Sequence, residues 1–180
     1  MDFFKVIEKR RSVRKYRRQP VEPEKIALII ETALRAPSSR GRNTWEFIVV
    51  DDHNIIRELS NAKQSGSSFL KGAPLALVVC ANPDKSDMWI ENASIASIFI
   101  SLAAEAQGLG SCWIQIRDRR HNAEKVAEEF VKEELKIPSN LRVESIIAVG
   151  YPDEQKPAHK KEELQYEKVF NNVYKKNGKI

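Results

Sequence analysis

Apolar stripes of helical period and short continuous apolar runs alternate along the chain. Residues 2–10 read as a helix, with Asp2 as N-cap and Phe3, Val6 and Ile7 on one face. Residues 12–17 then alternate, which predicts an extended segment with Ser12, Arg14 and Tyr16 on one side. A second helix starts near Pro23, buries Ile26, Ile29, Ile30, Ala33 and Leu34, and stops at Pro37. The loop 37–44 (PSSRGRNT) is polar. It leads into a strand at 45–50 (WEFIVV), a short helix at about 52–61 and a Ser/Gly loop at 63–68. A second strand is read at 75–81 (LALVVCA) and a third at 111–117 (SCWIQIR). Between them, residues 90–107 form a helix that is apolar on most faces, stopped by Gly108 and Gly110. A charged amphipathic helix is expected at 123–135 with Asn122 as cap, and a fourth strand at 142–149. The tail from about 153 is rich in Lys and Glu, with a weak helical pattern around 164–174.

Four strong strands alternating with helices predict a mixed α/β or α+β sandwich. A helix apolar nearly all round belongs in a core or between subunits, so 90–107 also points to a dimer. The 180 residues suit one domain, 1–180, with 153–180 as an extended arm. Hydrophobic residues at 42% are enough for a packed core and argue against disorder. No apolar stretch is long enough for a membrane span, and the N-terminal residues do not read as a secretion signal. Cys80 and Cys112, the two cysteines, both sit in apolar runs, as buried thiols do in a reducing compartment. The expected address is the cytoplasm.

Charge narrows the field. The net charge is +5, yet residues 9–18 (KRRSVRKYRR) hold seven basic residues and no acid. The remainder of the chain is slightly acidic. So dense a cluster meets nucleic acid, meets the phosphate of a bound cofactor, or disperses into water. The three histidines share no ligand spacing, neither cysteine belongs to a CxxC pair, and no nucleophile elbow or phosphate loop occurs. No carboxylate pair suggests hydrolysis. Such a chain supplies binding and electrostatics to a cofactor that carries the reaction, or is a non-catalytic binding module.

Three segments decide between these. Arg10-Arg11-Ser12-Val13-Arg14-Lys15-Tyr16 is the first. Ala36-Pro37-Ser38-Ser39, followed by Trp45-Glu46-Phe47, is the second. The third is Gly108-Leu109-Gly110-Ser111-Cys112-Trp113, after a helix preceded by Trp89, with Val149-Gly150-Tyr151-Pro152 as a softer fourth. In order and spacing they resemble the FMN-dependent nitroreductase family over about residues 3–170. The resemblance implies a three-layer α+β sandwich, with a mixed, mostly antiparallel sheet flanked by helices, in an intertwined homodimer with FMN at the interface. It implies hydride transfer from NADH or NADPH through flavin N5 to nitroaromatic, quinone or flavin-type acceptors in a ping-pong cycle.

By that resemblance Arg10, Arg11, Ser12 and Arg14 hold the flavin phosphate and ribityl chain, while Lys15, Arg17 and Arg18 face solvent or acids. Pro37, Ser38 and Ser39 reach the flavin of the other subunit. Gly41 stands where many relatives carry Asn, so that contact passes to Asn43 or Arg40. Trp113, Ile114, Gln115 and Ile116 lie against the ring. Lys160 and Lys161, with His159 beside them, stand where family members place a basic residue on the phosphate. Gln64 and Ser65 occupy a loop that can touch the flavin. No metal and no catalytic side chain are expected, since N5 is the reacting atom. Two other readings stay open: a flavin-binding relative with sensor, flavin-destroying or dehalogenating chemistry, and a nucleic-acid binder built on the basic segment.

Overall fold

The computed structural model describes residues 2–174. Helices α1 (Phe3–Lys9) and α2 (Pro23–Leu34) precede strand β1 (Trp45–Val50). Then follow α3 (His53–Leu59), β2 (Leu75–Ala81), α4 (Trp89–Ala106), β3 (Gly110–Gln115), α5 (Ala127–Leu135) and β4 (Arg142–Gly150). The strands form one sheet in the order β1-β2-β4-β3, antiparallel at every pairing. The expected sandwich is therefore present: the four strands pair antiparallel, and the segment after α1 adds a parallel bridge, Ser12–Ser111, at the β3 edge.

β2 is an unbroken apolar run and β4 is buried from Val143 to its end, because both faces of the sheet are covered. Leu75, Leu77, Val79, Ile147 and Val149 point to one side, where Ile29 and Ala33 of α2 and Ile100 and Ala104 of α4 meet them. Ala76, Val78, Cys80, Val143 and Ile146 point to the other, against Ile56 and Leu59 of α3 and Val131 of α5. The result is three layers, helix on sheet on helix. Central α4 is pinned beneath the sheet by Ser97, whose Oγ shares a 2.9 Å hydrogen bond with buried Ser145 Oγ of β4. Glu128 of α5 grips Arg142 of β4 with bonds of 2.7 and 2.9 Å and also accepts from the Val143 N–H. One helix thus fixes the start of the last strand.

Four local readings differ from the structure. Tyr16 is buried beside Val13 while Arg14 is exposed, so Ser12, Arg14 and Tyr16 do not share one side. Leu34 is 54% exposed, because the buried stripe of α2 ends at Ala33. The charged helix starts at Ala127, not Ala123. Asn122 Oδ1 accepts from the N–H groups of Glu124 and Lys125 and closes a turn there, and the bridge Arg120–Val126 holds that turn open to solvent. The tail forms two short 3-10 turns, Lys161–Glu163 and Tyr166–Lys168, in place of a helix. Residues 175–180 of the expected arm lie outside the described residues.

Candidate functional site

The site begins with two glycines. Gly110 and Gly150 are register partners at one end of the β3–β4 ladder. A Cβ on Gly110 would lie 2.8 Å from Val13, and one on Gly150 would lie 2.5 Å from Pro74 and 3.0 Å from Tyr16. Real side chains do not approach so closely, so only glycine lets the segment after α1 cross the end of the sheet. That segment is the basic one. Ser12 bridges Ser111, the Val13 N–H donates to the Ser111 carbonyl at 2.9 Å, and Tyr16 bridges Pro152. Tyr16 is the buried anchor, its hydroxyl donating to the Val13 carbonyl at 2.5 Å. Burial pushes its phenol well above the ordinary range, so it stays protonated and neutral.

The strap holds its cations beside the open edge of β3. Arg14 is exposed, its guanidinium 5.7 Å over the Phe69 ring, and its backbone N–H donates to Glu154 Oε1 at 2.6 Å. That hydrogen bond is the first cause holding the Glu154 carboxyl below its usual range. Arg11 donates to the Pro157 carbonyl, and Lys156 Nζ to the Ser12 carbonyl. Arg10, which caps α1, lies near Glu105 of α4. Cys112 sits among these groups. Burial raises its thiol, and Arg14, a hydrogen bond from Ser12, and Lys156 pull the other way without prevailing. The thiol stays protonated and is no nucleophile.

β3 is an edge strand, paired only with β4. The Ser111 carbonyl faces outward to Val13, whereas the Ile116 N–H faces inward to the Glu144 carbonyl. Antiparallel alternation therefore turns the N–H groups of Trp113 and Gln115 out of the free edge. Their side chains bond each other, Trp113 Nε1 donating to Gln115 Oε1 at 2.9 Å. Ile114 and Ile116 are 1% and 0% exposed, so their side chains belong to the core and only their backbone is available. Lys63, partly desolvated and near Arg119 and Cys112, is held below the usual lysine range, first by burial. Gln64 ties the loop to Arg120 through its N–H, and Ser65 is exposed.

The loop after α2 stands elsewhere. Ser38 Oγ donates to Asn43 Oδ1 at 2.7 Å and accepts from the Asn43 N–H at 2.9 Å. Arg40, Gly41 and Asn43 all have positive φ, so the loop folds back on itself. Buried Asn92 of α4 clamps it, accepting from the Ser39 N–H at 2.9 Å and donating to Thr44 Oγ1 at 3.1 Å. This loop feeds the start of β1, at the opposite edge of the sheet from β3 and the opposite end from Gly110. Three strand spacings alone separate them by roughly 14 Å. Within one chain Pro37, Ser38, Ser39 and Asn43 do not meet Arg10–Arg14.

The structure thus gathers Arg10, Arg11, Ser12 and Arg14 with the edge of β3. Lys160 and Lys161 are exposed a few residues beyond Pro157, and His159 lies 4.0 Å from Glu163. The tail lysine that touches the strap is Lys156, which the sequence reading passed over, along with Glu154, Phe69 and Asn92. A run of lysines carries no periodicity that singles one out. The pairing of Pro152 with Tyr16, which only the fold shows, carries the next few residues back along the strap.

Arg11, Arg14 and Lys156, one small hydroxyl residue and outward backbone N–H groups have the chemistry to hold a dianionic phosphate joined to a planar, hydrogen-bonding ring. Among the described residues no cluster of His, Cys, Asp and Glu could hold a metal, and no helix is long and apolar enough to cross a membrane.

A family model described as the nitroreductase family matches residues 7–67 and 53–151. An FMN-dependent nitroreductase from Clostridium difficile R20291 superposes with a TM-score of 0.93 at 49% identity, covering 94% of this chain and 98% of that one. A protein of Archaeoglobus fulgidus with the provisional name NADH dehydrogenase/NAD(P)H nitroreductase is 36% identical over 156 residues, 84% of this chain and 86% of its own. An iodotyrosine deiodinase of Thermotoga neapolitana is 26% identical over 186 residues, 89% of this chain and 94% of its own.

Proposed function

The chain belongs to the nitroreductase family, and we propose that it is an FMN-dependent NAD(P)H oxidoreductase whose acceptors are small aromatic compounds such as nitroarenes, quinones or flavins. Arg10, Arg11, Ser12, Arg14 and Lys156 would hold FMN, which would supply the redox chemistry between NADH or NADPH and the acceptor. The observation that carries this reading is the convergence of Arg11, Arg14 and Lys156 around Ser12 at the free edge of β3, with Arg10 two residues before Ser12 at the end of α1.

Each residue has a part. Arg10, Arg11 and Arg14 offer charge-assisted, forked hydrogen bonds to phosphate oxygens, and Lys156 adds a point charge beside them. Ser12 is small enough to let the phosphate approach and can donate to it. The outward N–H groups of Trp113 and Gln115 orient a ring laid along β3 and favour negative charge developing on it. Phe69 steadies Arg14 from behind. No side chain is needed to hold a proton in this scheme.

The opposite placement of the Pro37–Asn43 loop supports a site completed by a second copy of the chain. The exposed apolar residues of α1 and α4 support the same arrangement. Phe3, Phe4 and Ile7 are exposed, as are Ile95 and Ile98 at 37% and 48%. A surface so apolar on the helix in the middle of the chain favours burial against a partner.

The test is the visible spectrum of the purified protein, with any released flavin identified. A yellow protein that releases FMN and is bleached anaerobically by NADH or NADPH bears out the proposal and names the donor. Bound FMN that neither donor reduces would redirect it to the chemistry of the deiodinase relative, and no FMN binding at all would sink it.

A further inference from the structure

The flavin cradle uses only the first half of the basic segment. Arg17 and Arg18 lie beyond Tyr16, on a stretch that passes the start of β2 instead of β3. In the order β1-β2-β4-β3 this is two strand spacings, roughly 10 Å, from the cradle. There they line a cavity of about 810 Å³ at the end of the sheet, where α2 on one face and α3 on the other diverge. That volume is of the size that takes a mononucleotide-sized ligand.

The cavity has a floor and a rim of different chemistry. Its floor is apolar: exposed Pro20 and half-buried Ile26 and Pro74 offer the surface, and buried Val21, Ile56 and Leu75 back it. Its rim carries Arg17, Arg18, Arg57 and Lys71, all exposed. Arg17 Nε donates to the Pro152 carbonyl at 3.1 Å, which fixes its guanidinium and leaves the terminal nitrogens for another acceptor. Arg57 has only a 3.9 Å contact with Glu58. Among the described residues no acid stands within 4.0 Å of Arg17, Arg18 or Lys71. Four like charges around one cavity repel each other, and an anion bound between them relieves that repulsion. A single carboxylate, Asp51, interrupts the cationic rim. A bare phosphate would be repelled by it, whereas the vicinal hydroxyls of a ribose would donate to it.

We propose that this cavity is a second ligand site, separate from the flavin cradle, that takes a nucleoside phosphate. The base lies on the apolar floor with His53 at the mouth, the ribose faces Asp51, and the phosphates meet Arg17, Arg18, Arg57 and Lys71. No residue of the cavity belongs to the cradle, so the site stands whether or not the flavin reading does.

The experiment is calorimetric titration of the FMN-saturated protein with ADP, with adenosine alone, and with pyrophosphate alone, while flavin absorbance is followed. ADP binds without releasing flavin, and each fragment binds more weakly than ADP. The double variant Arg18→Glu/Lys71→Glu, both positions exposed and harmless to folding, binds ADP at least about tenfold more weakly, as expected for lost charge-assisted bonds, with its flavin spectrum unchanged. Undetectable ADP binding, equal binding by the variant, or displacement of FMN by ADP overturns the site. Pyrophosphate binding as tight as ADP overturns the nucleoside assignment. If the protein takes no FMN, the same titration reads the site in the flavin-free chain.

Discussion

Arg14 is held by its backbone, through Glu154, and leaves its guanidinium exposed above Phe69. On the proposed reading, removing that guanidinium should cost little in folding and much in phosphate binding. Arg14→Ala is expected to lower FMN affinity by roughly 1.5–3 kcal/mol, the scale of a hydrogen bond to a charged group, read by quenching of flavin fluorescence. Unchanged affinity would remove Arg14 from the cradle. The buried thiol of Cys80 makes a different point. Burial pushes it from 9.0 to about 12, and it raises the Tyr16 phenol as well. Both groups ionise earlier in the unfolded chain. The stability they contribute is whole below about pH 9 and is lost as pH climbs toward about 12. Urea midpoints should therefore fall with rising pH across that window. Cys80→Ala should flatten the decline, even though the small cavity it leaves lowers the whole curve. A slope that does not change would mean that Cys80 ionises equally in both states.

Among the elements, α4 does more than fill the core. Its Asn92 is the only side chain among the described residues that holds both the Ser39 N–H and the Thr44 hydroxyl, so a helix on one face of the sheet sets the shape of a loop at its edge. Asn92→Ala strands both partners in a buried setting. It should cost about 1–3 kcal/mol of stability and speed tryptic cleavage at exposed Arg40 and Arg42. Wild-type resistance in the variant would show that the loop holds its own shape through Ser38 and Asn43. The paired glycines make a similar link on the other side. They look like helix and strand punctuation in the sequence, yet their function is to let Val13 and Tyr16 lie flat on the sheet end. The Gly-Leu-Gly and Val-Gly-Tyr-Pro motifs are thus the seat of the Arg-Arg-Ser-Val-Arg segment.

At the scale of the whole molecule, the cradle and the Pro37–Asn43 loop occupy opposite corners of the sheet. Subunit mixing tests whether they form one site across two chains. The Arg14→Ala and Ser39→Glu proteins should each bind FMN poorly. Mixed after reversible dissociation, they should recover binding at a fraction of sites, because one site of each heterodimer then has an intact cradle and an intact loop. No recovery would mean that each chain builds its own site, or that the loop takes no part. Retention of FMN by Ser39→Glu alone would exclude the loop directly.

The sequence determined the elements, because each is a local matter. Period, caps and stops mark α1, α2, the central helix and all four strands, since burial on one face or both leaves its pattern in neighbouring residues. It also brought out the cations proposed to hold a phosphate, because a dense acid-free run of Arg is visible as composition. What it left undetermined was long-range. The exact lysine of the tail, the burial of Ile114 and Ile116, the role of Asn92 and the division of one basic segment between two sites all depend on which strands are neighbours. Sheet order is set by packing both faces at once, and no local pattern encodes it. Lys156 and Lys160 are alike in sequence. Only the fold, by pairing Tyr16 with Pro152, lays one of them against the strap.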